Sequence, residues 1–208
     1  MKSLFTCLFC LTVIFCSSQQ TEEFKYVKAY YNQHRSMLGT EFKKKFDAEP
    51  DSLHKEAIRQ DFFLFMKKMD SIENVALIGA LLKVKNLEDL SRIQSIRDHS
   101  EKESEFYRPT DQSADYPGGI DTLREEVAYL FYKEGVYSDV KTVKANVVFI
   151  VEKDGTISNV HAQGDNFTFN RQAEIALYSV SEKFSPAAYK GDPVRCRFNL
   201  PLTMQKEE

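Results

Sequence analysis

The chain has 208 residues, with 28 Lys+Arg against 31 Asp+Glu and a formal net charge of −3. That balance excludes a strongly basic nucleic-acid binder, which needs surplus cations to displace phosphate counterions. Apolar residues make up 42% and charged residues 28%, a globular rather than a disordered composition. Trp is absent, so 16 Phe and 10 Tyr supply the large side chains of a core.

Met1-Lys2-Ser3 carries one cation and is followed by a largely apolar run from Leu4 to Cys16, then Ser17-Ser18-Gln19. This is the layout of a secretory signal peptide, residues 1–18, with cleavage expected after Ser18. A helix of that length spans roughly 20 Å, short of the ~30 Å hydrocarbon core of a bilayer. Lipidation at Cys16 and retention as an anchor are the alternatives, and Phe15 fits a lipidation motif poorly. Cleavage removes Cys7, Cys10 and Cys16, so Cys196 is left without a partner for an intramolecular disulfide. It also removes Lys2, which takes the net charge from −3 to −4.

Residues 20–105 are expected to be mostly helical. Phe24, Val27 and Tyr31 share one helical face, and Ile58, Phe62, Phe65 and Met69 form an amphipathic stripe. Pro50-Asp51-Ser52 suits a helix start. Leu87, Leu90 and Ile93 suggest a further short helix, while Asn74 to Lys85 is compatible with helix or strand. These stripes are read as core. The stretch Asp98 to Glu105 is highly charged, and residues 106–115 are expected to be a linker.

Residues 116–204 read as an α+β unit. Tyr116-Pro117-Gly118-Gly119 is a turn, and Thr122 with Glu125 suits a capping box before the stripe Ile120, Leu123, Val127, Leu130. Thr142 to Glu152 is β-rich, Asp154-Gly155 signals a hairpin, and Thr156 to Ala162 supplies the return strand. Ala173, Ala176, Leu177, Val180 and Phe184 mark a second helix, and Val194 to Leu200 alternates as a half-buried strand should. The expected order is helix, strand, strand, helix, strand.

No catalytic constellation is visible. His34, His54, His99 and His161 form no metal-ligand spacing, no cysteine cluster exists, and no nucleophile elbow, P-loop or GxGxxG occurs. Asn166-Phe167-Thr168 matches a glycosylation sequon and is read as chance. The expectation is a protein that is not an enzyme, with no catalytic residue, metal or cofactor.

Four local patterns in residues 114–204 occur in the order seen in the C-terminal domain of TonB-type energy transducers of the Bacteroidetes kind. They are Tyr116-Pro117-Gly118-Gly119; Val147 to Val160 with its central Glu152-Lys153-Asp154-Gly155; Phe184-Ser185-Pro186-Ala187; and Gly191 to Pro201. This part of the chain resembles that family. The resemblance implies a module of about three antiparallel strands and two helices, α+β in class, here preceded by the helical region. It further implies binding of a short peptide of a TonB-dependent outer-membrane receptor, or of another envelope protein, by strand addition. The candidate edge is Val194, Arg195, Cys196, Arg197, Phe198 and Asn199, with the two arginines on one face and Val194, Cys196 and Phe198 on the other. The loop Lys133-Glu134-Gly135-Val136-Tyr137-Ser138 departs from the family's Tyr-Pro-x-x-Ala, and no long spanning linker is visible. The favoured expectation is therefore a periplasmic protein-binding module. The alternative is an inner-membrane-anchored transducer coupling a proton-driven motor to outer-membrane transport. Membrane contact is expected only through an uncleaved N-terminus, nucleic acid is not an expected partner, and a homodimer stays open.

Overall fold

The computed structural model describes residues 19–97 and 110–205. The expected signal segment 1–18, its three cysteines, the charged stretch from Asp98 to Glu105 and residues 106–109 of the expected linker lie outside them.

Two long helices come first, α1 (Gln19–Ala48) and α2 (Ser52–Arg97), of 30 and 46 residues. At 1.5 Å per residue they measure about 45 and 69 Å. Asp51 starts α2, its Oδ1 accepting from the N–H groups of Leu53 (2.7 Å) and His54 (3.1 Å). Asn74 to Lys85 and Leu87 to Ile93 belong to this one helix. The helices pair side by side. Phe42 stacks on Phe62 at 4.1 Å, and Arg35 reaches Asp70 at 2.6 Å and also Glu73. Of the stripe read from the sequence, Met69 is buried, but Phe65 is half exposed, and Leu87, Leu90 and Ile93 are exposed too.

The second part is α+β. Helix α3 (Gly119–Leu130) leads through a short 3-10 turn (Lys133–Gly135) to β1 (Thr142–Val151) and β2 (Ile157–Gln163). Helix α4 (Phe167–Tyr178), β3 (Ala187–Tyr189), β4 (Asp192–Val194) and β5 (Cys196–Gln205) follow. The main sheet is antiparallel with order β2-β1-β5. Its central strand alternates strictly, and Val147, Phe149 and Val151 are fully buried. Phe149, Phe184 and Phe198 form a ring cluster with centroids 5.2 to 5.6 Å apart. Phe24, Leu81 and Val84 of the helical hairpin belong to the same core as Phe149, Leu177 and Tyr178. The two sequence regions thus share one hydrophobic core.

Several local expectations need correction. The capping box does not form: α3 begins at Gly119 behind a left-handed Gly118 (φ 80°), and the Thr122 hydroxyl donates to the Gly118 carbonyl. Helix α4 stops at Tyr178, so Val180 and Phe184 are buried but not helical. The sequon residue Asn166 is the N-cap of α4, accepting from the Phe169 N–H at 2.8 Å. The last strand is displaced relative to Val194–Leu200. Val194 ends β4, the chain turns a corner at Arg195, and β5 runs on through Pro201 to Gln205. Residues 110–115 are not a free linker, because Gln112 bridges to Ala188 and Asp115 to Ser185.

The β1–β2 turn depends on Gly155. Its φ is +79°, and a Cβ there would lie 2.0 Å from the Phe184 carbonyl oxygen. Gly191 has a similar φ of +87° but open space around it. Gly191→Ala should cost only the left-handed strain, about 1–2 kcal/mol. Gly155→Ala adds a backbone clash and should cost at least about 3 kcal/mol. Urea unfolding of the two variants checks this, and equal losses would contradict the close approach.

Candidate functional site

A three-stranded sheet has two edges, and each carries a row of backbone groups that need partners. The two edges here are treated differently.

Side chains close the β2 edge. The Asn159 N–H donates to Glu88 Oε1 at 2.7 Å, the Val160 N–H to Tyr178 Oη at 3.0 Å, and the Ala162 N–H to Glu174 Oε1 at 3.0 Å. The Val160 carbonyl accepts from Lys85 Nζ at 2.8 Å. Tyr178 in turn donates to Glu88 at 2.6 Å. Lys85 and Glu88 sit one turn apart on α2, while Glu174 and Tyr178 are i,i+4 on α4, so two helix faces meet one strand edge.

Glu174 and Tyr178 have no solvent exposure. Glu174 also meets Arg171 at 2.5 Å, Lys85 at 3.1 Å and, more distantly, the His161 ring at 3.7 Å. A buried carboxylate persists only with such compensation. Burial pushes the Glu88 carboxyl above its ordinary value of 4.5, against the hydrogen bonds from Tyr178 and the Asn159 N–H. Burial raises the Tyr178 hydroxyl far above its ordinary value, and the neighbouring Glu88 adds to that. Phe24 of α1 stacks on the same tyrosine, with ring centroids 5.3 Å apart. These groups form a structural clasp; its acceptors are already spent on amides.

The β5 edge is different. No strand lies on its outer side among the described residues. Its side chains alternate: Cys196, Phe198 and Leu200 turn inward, while Arg197, Asn199, Pro201 and Thr203 are exposed. Proline is tolerated in a strand where its nitrogen faces away from the ladder. Pro201 therefore puts the backbone groups of Arg197 and Asn199 on the free side as well. Two hollows follow this edge. One of about 330 Å³ lies between Thr110, Ala114 and the stretch Arg197 to Asn199. The other, about 380 Å³, lies between α3 and the stretch Pro201 to Gln205, with Arg124 and Lys133 on its wall.

Of the six candidate edge residues, four lie on β5: Cys196, Arg197, Phe198 and Asn199. Val194 pairs with Ala187 in the small hairpin. Arg195 is held by Glu152 at 2.7 Å, so of the two arginines only Arg197 is exposed. The Cys196 thiol is half-buried, and burial pushes its pKa up, the opposite of an activated cysteine. Sequence reasoning missed Glu88, Glu174 and Tyr178. No motif or periodicity in the sequence marks them.

Among the described residues, no group of three or more His, Cys, Asp and Glu is placed to hold a metal ion. No described helix is long and apolar enough to cross a membrane. Compared with known proteins, the chain matches no family model, no curated protein and no solved structure.

The Glu88 shift has a measurable consequence. A raised carboxyl contributes stability that is complete below its unfolded value and is lost as pH rises through the folded value. Glu88→Gln keeps an acceptor without the charge. It is expected to flatten the decline in stability above pH 4.5, the ordinary value of the group. Urea midpoints at acid and neutral pH for both proteins check this, and an identical decline in the variant would contradict it.

Proposed function

We propose that this chain is a TonB-like protein-binding module of the periplasm. It receives an extended segment of an envelope protein, foremost a TonB-dependent outer-membrane receptor, as an added strand along β5. The observation that carries this reading is the asymmetry of the sheet: helix side chains engage three N–H groups and a carbonyl of the β2 edge, while β5 is a ten-residue edge strand with hollows beside both halves. Strand addition draws its affinity from unpaired N–H and C=O groups, and alternate side chains of the guest fill neighbouring pockets. The element order of residues 116–204 also agrees with the resemblance of the four local patterns, with a small hairpin inserted before the last strand. An acidic guest side chain would suit the exposed Arg197.

The test is a titration of the isotope-labelled chain with a synthetic peptide from the periplasmic segment of such a receptor. Backbone amides of Arg197 to Gln205 should shift, and those of Arg197 and Asn199 should gain exchange protection. Asn199→Pro removes one outward N–H without touching the ladder to β1. It should weaken binding by a few-fold to about tenfold, the worth of one hydrogen bond, while leaving the melting temperature nearly unchanged. Shifts confined to other elements, or none at saturating peptide, would overturn the reading.

A further inference from the structure

Helix α2 is apolar on two opposite faces. One face carries Met69, Leu77, Leu81 and Val84 into the core. The other carries Leu64, Phe65, Ile72, Val75, Leu82 and Ile93, which are between 50% and 67% exposed. A stripe of this kind on a lone surface has no evident use, because surface helices carry polar residues outward. Together the six residues expose on the order of 600 Å², the upper end of the largest patch of a typical monomer. It approaches the ~800 Å² that each partner contributes to a standard interface.

Four of these six are symmetric about a single point, while the mates of Phe65 and Ile72 about it are Arg92 and Lys85. Leu64, Val75, Leu82 and Ile93 follow one another at steps of 11, 7 and 11 residues along one line of the helix. Both pairs, Leu64 with Ile93 and Val75 with Leu82, are centred between Ile78 and Gly79. So is the exposed pair Lys68 and Asp89. A two-fold interface requires one patch that is complementary to itself. An antiparallel second copy placed on this centre sets Leu64 level with Ile93, Val75 with Leu82, and Lys68 with Asp89. A parallel copy would instead bring Lys68 to Lys68 and Asp89 to Asp89. At the centre stands Gly79, which is exposed and whose added Cβ would meet nothing within 4 Å in its own chain. Internal packing does not require a glycine there, but close approach of a second helix does.

We propose that the outward face of α2 is a homodimer interface, in which α2 helices of two copies of this chain pack antiparallel about a two-fold axis beside Gly79. The face lies opposite the core-facing side of α2, so the dimer leaves β5 free in both copies. The inference stands independently of the peptide-binding reading.

Sedimentation equilibrium of the purified chain should give a dimer. Val75→Glu with Leu82→Glu puts two charges into the seam and should raise the dissociation constant at least about 100-fold, with unchanged helicity by circular dichroism. Lys68→Glu should weaken the dimer, and adding Asp89→Lys should restore it. Gly79→Cys should form a disulfide-linked dimer under oxidation. Leu64→Cys should not, because its mate lies about 44 Å away across the axis. A monomeric wild-type chain at 100 micromolar or so, or a dimer that survives the double glutamate variant, would overturn the proposal. Cross-linking through Leu64→Cys would overturn the antiparallel arrangement.

Discussion

The whole arrangement depends on how the outer edge of β2 is satisfied. Three of its amides point at Glu88, Tyr178 and Glu174 rather than at another strand or at water. An amide buried without a partner costs about 1–3 kcal/mol, so the three together are a large fraction of the stability of a domain this size. The acceptors come from two different helices. Because α2 supplies Glu88 and Lys85, the helical hairpin is joined to the sheet by directed bonds as well as by apolar contact. Phe24 stacking on Tyr178 extends that connection to α1. Glu174 tolerates complete burial only because an amide, Arg171 and Lys85 surround it.

This clasp gives the sheet a direction. A small sheet with two open edges invites uncontrolled pairing, and here one edge is closed by bulky, charged helix side chains. The remaining edge is not closed in the same way, and its own features guide what can add to it. Pro201 leaves a single gap in the row of outward donors, with Arg197 and Asn199 before it and Thr203 after it. The Arg195–Glu152 pair fixes the corner where the chain leaves the small hairpin and enters β5. Hairpin and edge are therefore separate elements, β3 pairing with β4 and β5 pairing with β1.

Much of this architecture was legible in the sequence. The β-rich run of β1, the Asp154-Gly155 turn and the helical stripes of α3 and α4 identified their elements because each segment carries a strong local signal. The failures share a cause, which is tertiary contact acting on weak local signals. Pro201 reads as a strand end, yet on an edge strand its missing N–H costs nothing. Thr122 reads as a cap, yet Gly118 in a left-handed conformation already sets the helix entry. Asn166 reads as a chance sequon, yet its side chain starts α4. Phe65 and Leu90 read as core, yet α2 has apolar residues on two faces and only one faces the rest of the chain. Glu88 and Glu174 carry no pattern at all, since their role appears only when α2, α4 and β2 meet.

The central claim is that the two sheet edges differ in kind, one engaged and one open. Native-state hydrogen exchange resolved to single amides tests it most directly. The account predicts strong protection for Asn159, Val160 and Ala162, with rates set by global unfolding, and fast exchange for Arg197 and Asn199 in the chain without a guest peptide. Fast exchange on β2 together with protected outward amides on β5 would contradict it.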